Sequence, residues 1–279
     1  MYAFGYQQQL FEGFPVQLLV APEGDVIACV RRRSGHETPG ELGVYETRLD
    51  WSQPPLAPLG ALLRQHGLES HSTGSFQPGS PWESIDVERG DSTGTHHFDA
   101  LAPLPSPFGE VTAAAREVLK AVEAHPVRSL AITGQKISGT FKAGAPAEIS
   151  FELRNRGSGR ACISNPRGLD SESPMGLLLN LVIVTDSEDG PIETIVESID
   201  LAALELRTGP HSAVPTDRDT LEMPAGGAIT CRATLPWPRV RPGVYPTRWV
   251  SISGGDPMEI DDWVSGRLEV RGPEVDVRA

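Results

Sequence analysis

At 279 residues, with 39% hydrophobic and 22% charged side chains, the chain has a globular composition and enough length for two domains. Its formal charge of −13 is spread evenly, residues 1–130 carrying nine basic and sixteen acidic side chains. Neither half offers the basic field that a phosphate backbone requires, so nucleic acid is not an expected partner.

The first nine residues have neither the basic start nor the apolar core of a signal peptide. The longest strongly apolar run, Leu177 to Val184, is far too short to cross a bilayer. Three scattered cysteines, Cys29, Cys162 and Cys231, lack CxxC spacing, which argues against a disulfide framework or a zinc knuckle. These features place the chain in a reduced cytoplasm, away from membranes.

In chain order, Pro15–Val20 and Asp25–Val30 flank a Pro/Gly turn and read as a hairpin, with a third strand at Gly43–Leu49. Between them Arg31-Arg32-Arg33 reads as the solvated end of a strand rather than an anion site. Leu59, Leu62, Leu63 and His66 fall at helical spacing, with Gly67 placed to cap the helix. Ser84–Glu88 and Thr95–Ala100 suggest a second hairpin around Arg89–Gly94. A longer helix should start at Ser106-Pro107, the serine as N-cap and the proline at the first helical position. Val111, Ala115, Val118 and Val122 share its apolar face, while Arg116, Glu117, Lys120 and Glu123 point to solvent. His125-Pro126 ends it.

Beyond Pro126 the pattern is that of strands: Ser129–Thr133, Ala147–Arg154, Leu177–Thr185, Ala228–Leu235, Val244–Ile252 and Gly266–Arg271. Ile149, Phe151 and Leu153 alternate with polar residues, as in a half-buried strand, and Cys231 lies on the apolar face of another. Leu177–Val184 barely alternates, as a central strand covered on both faces would. Residues 192–206 fit either one helix or two strands. The expected fold is an α+β N-terminal domain over residues 1–128, then an all-β immunoglobulin-like sandwich over 129–272, with 273–279 as a tail.

Several elements of the second half resemble the immunoglobulin-like domain of the bacterial intracellular proteinase inhibitor type. They are Ile149-x-Phe151-x-Leu153-x-Asn155, the apolar strand ending at Val184-Thr185-Asp186, Leu221-x-x-Pro224-Ala225-Gly226-Gly227, Trp237, and Arg241-Pro242-Gly243-Val244-Tyr245. The asparagine can tie the turn after its strand, and the Ala-Gly-Gly turn supplies positive φ. Tyr245 can make a tyrosine corner, its hydroxyl satisfying a backbone group. The resemblance implies a sandwich scaffold and brings no inhibitory motif that maps onto named positions. The Asp186–Asp219 insertion departs from it. No family is suggested for the first half.

For chemistry, the one cluster worth weighing is His66, His71, His96, His97 and Asp99. On a strand His96 and Phe98 face one way, and His97 and Asp99 the other. His97 and Asp99, with His66 or His71, would then be the candidate metal ligands; ordinary polar residues of a hairpin and its loop are the plainer reading. Asp256, Glu259, Asp261 and Asp262, beside Trp263, read as a solvated acidic loop, and Gly254-Gly255 as a turn. No Gly-x-Ser-x-Gly elbow, Gly-x-Gly-x-x-Gly or Walker loop is present, so no catalytic residue and no cofactor is expected.

The function expected on these grounds is a cytoplasmic, non-enzymatic protein-binding module, of the inhibitor or immunity type, whose acidity suits a basic partner. An enzyme with a metal-assisted site around His66, His97 and Asp99 is a second expectation. A structural module of a larger assembly is a third, and the oligomeric state stays open.

Overall fold

The computed structural model describes residues 1–9, 16–30, 32–33, 42–74, 80–138, 141–142, 147–164, 176–187, 190–200, 205–208, 214–215, 220–235, 239–253, 264 and 266–278. The chain divides into two compact units, one of residues 1–32 and 43–127, the other of residues 33–42 and 128–279. Among the sequence expectations, Arg31, Trp237, Gly254-Gly255 and the acidic loop from Asp256 to Trp263 lie outside the described residues.

The first unit contains β1 (Ala3–Gln9), β2 (Val16–Val20) and β3 (Asp25–Val30), with β4 (Arg32–Arg33) at its boundary and β5 (Leu42–Arg48) following. Next come α1 (Leu56–His66), β6 (Trp82–Arg89), β7 (Ser92–Asp99) and α2 (Phe108–Val122). The strands run β5-β3-β2-β1-β6-β7. Their register sets Tyr45, Ala28, Leu18, Tyr6, Ile85 and His96 in one row, and all six are buried. That row faces the apolar stripes of both helices, Leu59 and Leu63 of α1 and Val111, Ala115, Val118 and Val122 of α2, in a single core. Period two on the strands and period 3.6 on the helices thus meet at one surface. Gly67, at φ +58, closes α1 by donating its N–H to the Leu63 carbonyl, 3.1 Å away.

Helix α2 starts differently from its expected cap. Pro107 is itself the N-cap, and no side chain caps the helix. The Pro105 carbonyl takes the Phe108 N–H at 2.9 Å, so the backbone, not the Ser106 hydroxyl, meets the first helical donor. Arg116 lies on the solvent face as expected, about half exposed, and from there reaches Glu83 on β6.

The second unit is built from β8 (Pro126–Ser138), β9 (Phe141–Lys142), β10 (Ala147–Arg154), β11 (Ala161–Ser164), β12 (Gly176–Ser187) and β13 (Gly190–Asp200). It continues with β14 (Glu205–Thr208), β15 (Val214–Pro215), β16 (Thr220–Met223), β17 (Ala228–Leu235), β18 (Gly243–Ser253) and β19 (Gly266–Arg278). Residues 192–206 are therefore strand in their described parts, and 273–278, expected as a tail, form the second half of β19. One core gathers side chains from its sheets, with Phe151 of β10 and Trp249 of β18 in contact at 4.9 Å between ring centroids. Asn155 and Tyr245 do what their positions suggested. The Asn155 Nδ2 donates to Gly159, Met223 and Pro224 carbonyls, and its Oδ1 accepts from Ser129 and Gly157 N–H groups. The Tyr245 hydroxyl donates to the Arg241 carbonyl at 2.7 Å, and Gly226 sits at φ +67.

The division into an α+β domain followed by an immunoglobulin-like sandwich is overturned. The protein is mostly β, with two α-helices among the described residues, and its largest sheet is a ten-stranded antiparallel one. Its order, β14-β17-β10-β8-β5-β3-β2-β1-β6-β7, takes strands from both halves of the chain. The segment around residue 128, where a proline ends the helix, does divide the two compact units, and a 13-residue strand, β8, begins there.

Candidate functional site

The histidines come first because the sequence singled them out. His96 is fully buried on β7, where its ring contacts Phe108. Its Nε2 lies 3.0 Å from the Leu68 carbonyl and its Nδ1 lies 3.0 Å from the Thr73 hydroxyl. A carbonyl only accepts, so Nε2 carries the proton and Nδ1 accepts from the threonine. Burial pushes the His96 pKa down, and the hydrogen bond to Leu68 only partly opposes this. The ring is a neutral core element.

His71 packs edge-on to His96, with centroids 5.2 Å apart, and its Nδ1 meets the Ser70 hydroxyl at 3.3 Å. His97 belongs to the opposite sheet face, across from Ser84. Asp99 ends β7, and its Oδ1 accepts the Leu101 N–H at 2.8 Å, a turn-forming bond. His66 ends α1, its Nε2 buried and lacking a hydrogen-bond partner among the described residues. The structure brings His71 to His96, not to His97 and Asp99. Among the described residues no group of three or more His, Cys, Asp or Glu side chains is arranged to hold a metal ion. None of the three cysteines is in a disulfide among the described residues, and Cys231 is fully buried.

A second polar cluster lies under α2. Glu83 is buried on β6, and its Oε1 accepts from Gln8 Nε2 at 2.6 Å and from Arg116 Nη2 at 3.0 Å. Burial, with the Glu83 charge beside it, raises the Tyr6 pKa to about 12, so the phenol keeps its proton at neutral pH. The set neutralises a buried carboxylate and pins α2 to the sheet. It has the makings of a structural clamp, with no group poised for proton transfer near neutrality.

The surface that stands out is the β12–β13 hairpin. β12 pairs with β13 on one side along Leu178–Ser187, and with β18 on the other only along Gly176–Leu181. From Val182 to Ser187 the hairpin thus runs on as a two-stranded ribbon among the described residues. Six residues of strand span about 20 Å. Leu179 to Val182 are buried on both faces, as the unalternating run suggested, but Ile183 and Val184 are exposed because β18 has ended. Of the ten exposed large hydrophobic side chains among the described residues, five stand here: Ile183, Val184, Ile192, Ile195 and Val196.

The ribbon has a defined base. A bulge at Val196 separates the pairs Leu181↔Glu197 and Val182↔Ile195, which shifts the side-chain parity of β13 by one. Asn180, Arg248 and Arg271 share one row with Ser198, whose hydroxyl donates to Asn180 Oδ1 at 2.7 Å. From the ribbon, Glu193 takes the buried Arg248 in a close ion pair and Arg271 at 3.2 Å. The hairpin over residues 176–200 contains six acidic side chains and no Lys, Arg or His.

Comparison with protein-family models, with curated proteins and with solved structures finds no match for this chain. The hairpin was not singled out from the sequence, since a run of Leu, Val and Ile reads equally as core. The available signal was the turn sequence Glu188-Asp189-Gly190, which pairs Asp-Gly with two apolar flanks, together with the missing basic residues.

Proposed function

We propose that this chain is a non-enzymatic protein-binding module of the cytoplasm, of the inhibitor or immunity type, whose partner is a basic protein. One observation carries the reading: half of the exposed large hydrophobic side chains among the described residues are gathered on a single acidic hairpin. Scattered exposed apolar residues need no explanation, whereas a concentrated group marks an interaction surface. The net charge of −13 adds long-range attraction for a cationic partner. Second support comes from the chemistry of the polar clusters, where both ring nitrogens of His96 are hydrogen-bonded within the core and Glu83 is held by Gln8 and Arg116. A pull-down with the intact protein from native lysate tests the reading. A stoichiometric basic partner, released as salt is raised, is the expected result; recovery of none overturns it.

A further inference from the structure

Resting on that protein-binding reading, we propose that the outer edge of β13 takes an extended, cationic segment of the partner as an added strand. β13 is the terminal strand of its sheet, in the order β13-β12-β18-β19-β4, so one side of its backbone has no strand neighbour among the described residues. Such an edge presents a row of N–H and C=O groups that template another strand. Edges are usually blunted by lysine or by proline within the strand; β13 has no lysine, and its one proline, Pro191, lies at its start. The bulge at Val196 bends the strand there, which confines regular pairing to the Ile192–Ile195 portion.

The side chains along that portion define the occupant. Ile192 and Ile195 are 54% and 52% exposed, and lie on opposite faces of the ribbon, Ile192 opposite Thr185 and Ile195 opposite Val182. An added strand would therefore find an apolar neighbour on each face, where cross-strand pairs stabilise a sheet. The charge decides between a foreign strand and a second copy of this chain. Two copies would set acidic hairpin against acidic hairpin, neither carrying a base of its own, and like charges so juxtaposed are unfavourable. A partner segment alternating β-branched residues with Lys or Arg meets both the apolar side chains and the carboxylates.

The test uses the intact protein and a ten-residue peptide alternating valine and lysine, with binding read by fluorescence anisotropy. Two sets of peptides, N-methylated on alternate residues along one edge or the other, remove the hydrogen bonds of strand addition while keeping charge and composition. The Val–Lys peptide should bind, one N-methylated set should lose at least about tenfold in affinity, and a Val–Glu peptide should not bind. The variant Ile192→Thr/Ile195→Thr, which keeps β-branched side chains, should weaken binding by a similar factor, and circular dichroism checks its fold. Equal binding by all N-methylated peptides, by the Val–Glu peptide or by the variant overturns the β13 assignment, as does no binding of the Val–Lys peptide. A dimer in sedimentation, crosslinked through the hairpin, overturns it in favour of a second copy. The protein-binding reading is decided separately, by the pull-down.

Discussion

Two hairpins of this protein, β6–β7 and β12–β13, have the same architecture and opposite fates at their outer edges. β7 is covered. The Thr73 N–H donates to the Thr95 carbonyl and the His97 N–H to the Thr73 carbonyl, so a short backbone segment completes the edge in place of a strand. The same threonine also donates its hydroxyl to the buried His96. β13 has no such segment among the described residues, and the apolar side chains nearest its turn stay in solvent. A capped edge turns its polar residues into core elements, whereas an open edge leaves apolar residues as a surface. The histidines that looked chemically promising belong to the capped hairpin, and the better interaction surface belongs to the open one.

The comparison breaks most visibly at Glu193, which holds the open hairpin to the rest of its sheet. Replacing Glu193 with alanine strands the buried Arg248 and should cost roughly 3 kcal/mol, read as a lower urea midpoint. A loss near zero would show that the ribbon is not anchored by this pair.

On the capped hairpin, acidification is the sharper probe. Burial lowers the folded pKa of His96 below its ordinary value of 6.5, so the unfolded chain binds the proton more tightly than the native state. His96 thus contributes stability above pH 6.5 that is lost as pH falls through the folded value. His71, His97 and Asp86 are the charged or titratable neighbours that bear on it. Urea midpoints should decline on acidification in the wild type and decline less in His96→Gln. Identical pH profiles would contradict a neutral His96 core.

The smallest stability effect is expected on the open ribbon. Ile192→Thr/Ile195→Thr should shift stability by less than about 0.5 kcal/mol, since both side chains are already exposed. A larger loss would mean that these side chains are covered in solution and that the contrast between the hairpins is weaker than drawn.

Much of the fold was legible in short patterns. The β2–β3 and β6–β7 hairpins, the buried stripe of α2, the glycine cap of α1 and the tyrosine corner all depend on residues close in sequence, and all are found in place. The histidine faces were legible for the same reason, because strand alternation separates His96 from His97. The metal grouping was not, since it required knowing that His71 would turn towards His96. Arg116 shows the same limit: helical periodicity rightly assigns it to the exposed face, and only the arrival of Glu83 from a distant strand gives it a partner.

Local pattern, then, was sufficient for the two helices and for the strands with clear alternation, because periodicity acts within a few residues; it left residues 192–206 open and missed β1 and the end of β19. It was also sufficient for the acidity of the hairpin. Which strands become neighbours depended on tertiary structure, since backbone hydrogen bonds between distant segments carry no sequence label. That is why the apolar run of β12 divides where β18 stops pairing, with Leu179 to Val182 buried and Ile183 and Val184 exposed.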